Sequence, residues 1–167
     1  MTKPLQREGQ RLLLREWRSD EVDALHRWLG DPKVTRFLSW GSRSRSDSRE
    51  HLALILAEQQ AAHRTKYFFA LELKATGQVI GDCGFTWSER KVAEIGYFLE
   101  PDFWGQGYGT EAARLVIGLA FDLGAPSVRA CCDARNGASE GVMRRCGMTP
   151  IESDTPTRRC YALDRDS

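Results

Sequence analysis

The chain has 167 residues, enough for one compact unit with a substantial core and too few for two ordinary ones. Lys and Arg total 24 against 23 Asp and Glu, so the net charge is +1 and no overall field favours nucleic acid or an anionic membrane surface. The opening MTKPLQREGQRLLLREW has no apolar signal-peptide region, and no segment approaches the roughly 20 apolar residues of a membrane span. A soluble, cytoplasmic protein follows, with residues 1–167 as one domain and neither nucleic acid nor membrane as partner.

RLLLREW, Arg11 to Trp17, reads as a first strand. Ser19 or Asp20 then caps an amphipathic helix with Val22, Leu25, Trp28 and Leu29 at helical spacing, ended by Asp31-Pro32. Trp40 to Glu50 is a polar loop, and His51 to Ala62 a second helix with Leu52, Ile55 and Leu56 on its apolar side. Three strand-length runs follow: Tyr67 to Lys74, Gln78 to Trp87 and Val92 to Leu99. Their short joins contain turn residues, so the three form an antiparallel meander. A glycine-rich loop opens a helix from about Thr110 to Leu123, stopped by Gly124. SVRACCD is a further strand, with Cys131 and Cys132 on opposite faces. A short helix from Ala138 to Cys146 has Asn136 near its cap and Gly147 at its end, and Met148 to Ser153 and Arg158 to Leu163 are terminal strands. The order predicts an α/β (α+β) fold: a mixed, mostly antiparallel sheet of about seven strands flanked by about four helices.

The five cysteines, Cys83, Cys131, Cys132, Cys146 and Cys160, are odd in number and lack C-x-x-C or Cys/His ligand spacing. Reduced, mostly buried thiols are expected, and no metal. His26, His51 and His63 share no carboxylate or cysteine partner in sequence, so they read as structural.

The chemistry concentrates in FWGQGYGTEA, Phe103 to Ala112. Glycines at a helix N-terminus expose N–H groups and the positive end of the helix dipole, which suits an anion such as pyrophosphate. A P-loop is excluded because Gly109 is followed by Thr110 with no lysine. Gly107-x-Gly109-x-x-Ala112 satisfies the dinucleotide pattern, and Asp133 ends the next strand. A nicotinamide or flavin domain needs several parallel βαβ units, however, and the antiparallel meander and short remaining chain do not provide them.

AEIGYFLEPDFWGQGYGTEA followed by NGASEGVMRRCGM resembles the GCN5-related N-acetyltransferase (GNAT) superfamily, whose acetyl-CoA loop reads Q/R-x-x-G-x-G/A. RLLLREWRSDEVDALHRWLGDPKVTRFL is similar to the RimJ/RimL branch, the ribosomal-protein alanine acetyltransferases and their relatives. The resemblance implies acetyl-CoA as cosubstrate. Tyr97, Phe98 and Leu99 would pair with the pantetheine arm through their backbone, and Gly105, Gln106, Gly107, Tyr108, Gly109 and Thr110 would wrap the pyrophosphate. Asn136 would touch the pantetheine, cap its helix, or do both. The chain departs from the superfamily in two places: Trp104 stands where Gln or Arg is usual, and Met143 stands where many members carry a tyrosine acid. No Lys or Arg lies between Trp104 and Ala113, so backbone N–H groups must carry the phosphates, helped by Arg114, Arg135 or Arg144 from nearby segments.

Amide formation from a thioester needs a neutral amine, a polarised carbonyl and a stabilised thiolate. A main-chain N–H near Tyr97 to Leu99 would meet the carbonyl. Ser139, one turn before Met143, is the candidate donor to the thiolate, against a structural role in the helix's first turn. The resemblance makes Glu94 the candidate base, since superfamily members use a glutamate on this strand, often through water; by alternation it shares a face with Gly96 and Phe98. An α-amine, with an ordinary pKa of about 7.7 to 8.0, needs less help than lysine at about 10.4. The acceptor is therefore a protein N-terminus or a small-molecule amine: an aminoglycoside, polyamine or amino-acid-like metabolite. The SRSRSDSR loop and the Asp154 to Arg158 turn are expected to border its pocket. The alternatives are a CoA-binding regulatory module without catalysis, or an NAD-binding protein. A homodimer is what the resemblance suggests.

Overall fold

The structure, a computed structural model, describes residues 3–167. Eight strands form one sheet in the order β1-β2-β3-β4-β5-β6-β8-β7: β1 (Gln6–Glu8), β2 (Leu12–Glu16), β3 (Lys66–Leu73), β4 (Val79–Trp87), β5 (Ala93–Leu99), β6 (Ser127–Asp133), β7 (Thr149–Ile151) and β8 (Arg158–Asp164). Every pairing is antiparallel except β5–β6. The parallel βαβ array of a dinucleotide fold is therefore absent among the described residues. The meander β3–β4–β5 stands as the turn residues predict, and β1 is an eighth strand too short to show as a periodic run.

Five α-helices cover the two faces: α1 (Val22–Leu29), α2 (Pro32–Thr35), α3 (Arg45–Gln60), α4 (Tyr108–Asp122) and α5 (Gly137–Arg145). The α1 cap is Glu21, without a side-chain bond, rather than Ser19 or Asp20. Asp31 accepts from Lys33 N–H and starts α2 on Pro32 at its first turn. The polar stretch before His51 is not all loop. Ser44 and Asp47 form a reciprocal capping box, so α3 begins inside it at Arg45.

Alternation in the strands divides the interior in two. On one face Leu12, Leu14, Phe69, Phe85, Ile95, Leu99 and the apolar stripe of α4, including Val116 and Leu119, pack together. On the other, Trp17, Leu25, Trp28, Leu29, Leu52, Ile55 and Ala70 form a second cluster under α1 and α3, joined by Phe68 and Phe98. Phe98 stacks on Trp28 with centroids 4.5 Å apart, fixing α1 over β5. Buried Arg15 is held by Glu21 and Glu72, which satisfy its charge.

Candidate active site

The site is built where β5 and β6 part. Their parallel pairing covers only Ala93/Val128 and Glu94/Arg129. On its other edge β5 pairs with β4 in unbroken register from Trp87/Ala93 to Gly81/Leu99. Ser88 N–H donates to Val92 O and Glu100 N–H to Ile80 O, so the even-numbered pairs are the hydrogen-bonded ones. The main-chain groups of Ile95, Tyr97 and Leu99 therefore point away from β4, into the opening. Leu99 O is met by Trp104 Nε1 at 3.0 Å; the N–H groups of Tyr97 and Leu99 face the gap.

The glycine loop lies beside this gap and is exposed from Trp104 to Gly107. Gly105 (φ 71°) and Gly107 (φ 84°) are left-handed, conformations that a β-branched residue adopts only with strain. Gly107 is the N-cap of α4 and supplies no side-chain cap, so the N–H groups of the first turn stay open. Gly109 has an ordinary φ, and a Cβ there would meet Val142 Cγ2 at 3.4 Å.

The loop is tethered by residues far away in sequence. Glu111 accepts from Arg11 N–H at 2.7 Å, Leu12 N–H at 3.0 Å and Arg11 Nε at 2.9 Å. Burial opposes its ionisation, but these donors prevail and hold the carboxyl below its ordinary pKa. Arg11 also donates to Gln106 O at 2.8 Å and lies over the Tyr108 ring. Arg145 Nε donates to Thr110 Oγ1, and Arg114 Nη2 to Arg145 O. The guanidiniums at the loop are thus Arg11, Arg114 and Arg145. Arg135 is turned to Asp133, and Arg144 to Glu140 and Tyr161, because closer carboxylate and phenol partners engage them. Those two expected helpers are corrected.

The third wall is the start of α5. Asn136 Oδ1 accepts from Ser139 N–H at 3.1 Å, so Asn136 is a genuine cap. Ser139 Oγ lies 2.9 Å from Tyr97 Oη, and Tyr97 Oη lies 3.0 Å from Ser139 O. Burial pushes the Tyr97 phenol well above its usual range, keeping it a neutral donor. Met143, 1% exposed, is core packing.

On the other face of β5 lies a cavity of about 480 Å³. Glu94, Gly96 and Phe98 line it together, as alternation predicts, with Arg129 and the Ser153 to Thr155 turn on the far side. The SRSRSDSR stretch is absent from its lining because those residues enter α3. Cys131 and Cys160 also line the cavity, and they are not free thiols. The β6–β8 register sets them opposite each other with Cα atoms 4.1 Å apart, and they form a disulfide. Their separation of 29 positions hides this pairing in the sequence. Cys83, Cys132 and Cys146 are free, and burial raises each thiol pKa.

The family model for an acetyltransferase (GNAT) domain matches residues 11–149. The chain belongs to the GNAT acetyltransferase family. A relative named uncharacterized N-acetyltransferase p20, from Bacillus licheniformis, is 33% identical over 117 residues, 67% of this chain and 64% of that protein. The match thus spans less than two thirds of that relative. A GNAT-family acetyltransferase from Bacillus anthracis superposes with a TM-score of 0.83 at 21% identity, covering 98% of this chain and 100% of that one. RimL, a ribosomal L7/L12 α-N-protein acetyltransferase in complex with coenzyme A, superposes with a TM-score of 0.79 at 23% identity, covering 95% and 96% of the two chains. At these identities the superpositions establish a common fold.

In this GNAT chain the residues read from sequence fall into two groups. Tyr97, Leu99, the Gly105–Thr110 loop, Asn136 and Ser139 surround the β5–β6 opening, whereas Glu94 and Phe98 face the cavity on the opposite side; the Phe98 main chain is bonded to β4 and, unlike those of Tyr97 and Leu99, is not open to a pantetheine arm. Three features escaped sequence reading. The Arg11–Glu111 tether and the Tyr97–Ser139 contact depend on tertiary approach across 100 and 42 residues. Asp82 is the third: an acid inside the apolar run QVIGDCGFTW, a local conflict that could have marked it.

Proposed function

We propose that the chain is an acetyl-CoA-dependent N-acetyltransferase that transfers acetyl to a primary amine by direct attack in a ternary complex. The observation that carries the reading is the parting of β5 from β6, with the free N–H groups of Tyr97 and Leu99 beside an uncapped helix N-terminus. The residues fit acetyl-CoA: an unpaired strand edge suits the amide-bearing pantetheine arm, and two left-handed glycines leave the backbone bare for pyrophosphate. Residues 1–167 act as one catalytic domain, and we place the reaction in the cytoplasm. Among the described residues no helix is long and apolar enough to cross a membrane.

Acetyl-CoA supplies an activated acyl group and a thiol leaving group. The Tyr97 N–H is directed to polarise the carbonyl. Tyr97 Oη donates its one proton to Ser139 O and lies 2.9 Å from Ser139 Oγ, holding that hydroxyl in place to turn its own proton to the departing sulfur. Glu94 accepts the amine proton at the pocket mouth, where it is exposed and reaches the reacting nitrogen through water. The acceptor is a protein N-terminal α-amine, whose attack needs least basic assistance, or a small-molecule amine.

Thermal shift with acetyl-CoA and with NAD, followed by thiol release across an amine panel, tests the proposal. Stabilisation by acetyl-CoA and amine-dependent thiol release are expected. Stabilisation by NAD alone would contradict it, and tight acetyl-CoA binding without release for any amine would leave a CoA-binding regulatory module.

A further inference from the structure

Asp82 is the polar group in this molecule that the fold least explains. It sits in β4, 4% exposed, surrounded by Trp17, Phe68, Ala70 and Phe98. Its single hydrogen bond among the described residues is to Oδ2, from Trp17 Nε1 at 2.8 Å. One neutral donor does not offset burial, so the carboxyl pKa is pushed up to about 8. Its second oxygen has no protein donor, yet it is not among the enclosed unpartnered atoms, so it opens on the cavity that Asp82 lines with Glu94 and Gly96.

The pleat shows where this oxygen lies. Asp82/Phe98, Gly84/Gly96 and Thr86/Glu94 are successive pairs with side chains on one face. The middle pair has no side chains: at Gly84 the β3 backbone closes in, with Tyr67 O against the place where a Cβ would sit, whereas a Cβ on Gly96 would find only Phe98 Cε2, at 3.8 Å, so the open floor lies along β5. A bare trough therefore runs past the reacting edge of β5, with Asp82 at its enclosed end and Glu94 at its mouth. Asp82 stands on β4, about 5 Å across from β5. That places its carboxyl beyond direct reach of an amine attacking at the far edge of β5, but within reach of a group a few bonds further along the same acceptor. The other charged groups lining the cavity are Glu94 and Asp154 against Arg129 and Arg158.

We propose that Asp82 is a specificity residue that anchors a second, cationic amino group of the acceptor, so that the preferred acceptor is a compact diamine-like molecule whose other nitrogen is acetylated. The inference rests on the N-acetyltransferase reading and narrows its acceptor. Binding such a group converts the Asp82 acid to a carboxylate and releases its proton to the buffer; the nitrogen to be acetylated loses its own proton afterwards, on activation for attack.

The probes are 1,3-diaminopropane and n-propylamine. The ratio of their kcat/KM values is compared between the parent and Asp82→Asn, whose amide oxygen still accepts from Trp17 Nε1. Comparing ratios cancels the intrinsic reactivity of the two amines. The ratio should fall at least tenfold in Asp82→Asn, and calorimetry of 1,3-diaminopropane on the parent with CoA, in two buffers at pH 7, should show close to one proton released. An unchanged ratio, no proton release, or no binding of the diamine would overturn the proposal. Stabilisation by acetyl-CoA is measured alongside: if it persists in these cases, the acceptor assignment alone has failed, and if it is absent the cofactor reading has failed.

Discussion

Replacing Asp82 with asparagine should make the protein progressively more stable than the parent as pH rises. The native carboxyl holds its proton to about pH 8, whereas the unfolded chain releases it near 3.8. Between these values the native state binds more protons than the unfolded one, so Asp82 contributes fully below about pH 4 and its contribution is lost as pH rises through about 8. The slope is roughly 1.4 kcal/mol per pH unit, giving about 2.7 kcal/mol between pH 5 and pH 7. Asparagine has the same size and keeps an acceptor for Trp17 Nε1, but does not titrate. Urea unfolding of both proteins at pH 5, 6, 7 and 8 measures the difference directly. The stability gap should widen in favour of Asp82→Asn by about 2 to 3 kcal/mol from pH 5 to pH 7. A gap constant to within about 0.5 kcal/mol would show that the carboxylate is solvated or paired and that the buried-acid account of Asp82 is wrong.

Thiol titration of the unfolded, unreduced chain should find three reactive cysteines, with all five appearing only after reduction; five without reductant would remove the Cys131–Cys160 bond. Glu111→Ala leaves the N–H groups of Arg11 and Leu12 without their acceptor, so a loss of about 2 kcal/mol is expected, seen as a melting temperature lower by roughly 4 to 8 °C. The acetyl-CoA KM should rise with it, because Arg11 no longer fixes Gln106; an unchanged melting point would refute the tether. Gly107→Val forces a β-branched residue to a φ of 84° at the cap of α4, and should raise the acetyl-CoA KM at least tenfold while kcat with saturating cofactor changes much less. A KM within twofold of the parent would mean that the loop does not hold the cofactor.

Local signals carried much of this structure. The alternation and turn residues of Tyr67 to Leu99 specify the meander, and Gly107, Gly124, Asn136 and Gly147 mark helix ends close to where they fall. Ser44 and Asp47 also carried a local signal, a capping box inside what otherwise reads as a solvated serine and arginine loop. What stayed hidden depends on register between distant strands. Cys131 meets Cys160 only because β6 and β8 pair in one register, and Tyr97 reaches Ser139 only because α5 packs across the β5–β6 opening. The same holds for phosphate-side charge: Arg11 lies more than 90 residues before the loop it grips, and Arg135 and Arg144 are drawn to other partners.

In the proposed function the unpaired edge of β5 and the first turn of α4 hold acetyl-CoA. Amide hydrogen exchange, resolved by residue with and without CoA, tests it most directly. CoA should slow exchange at the Tyr97 and Leu99 N–H groups and at Gly107 to Thr110, while Phe98, already bonded to β4, changes little. Protection elsewhere with none at Tyr97 and Leu99 would contradict the account.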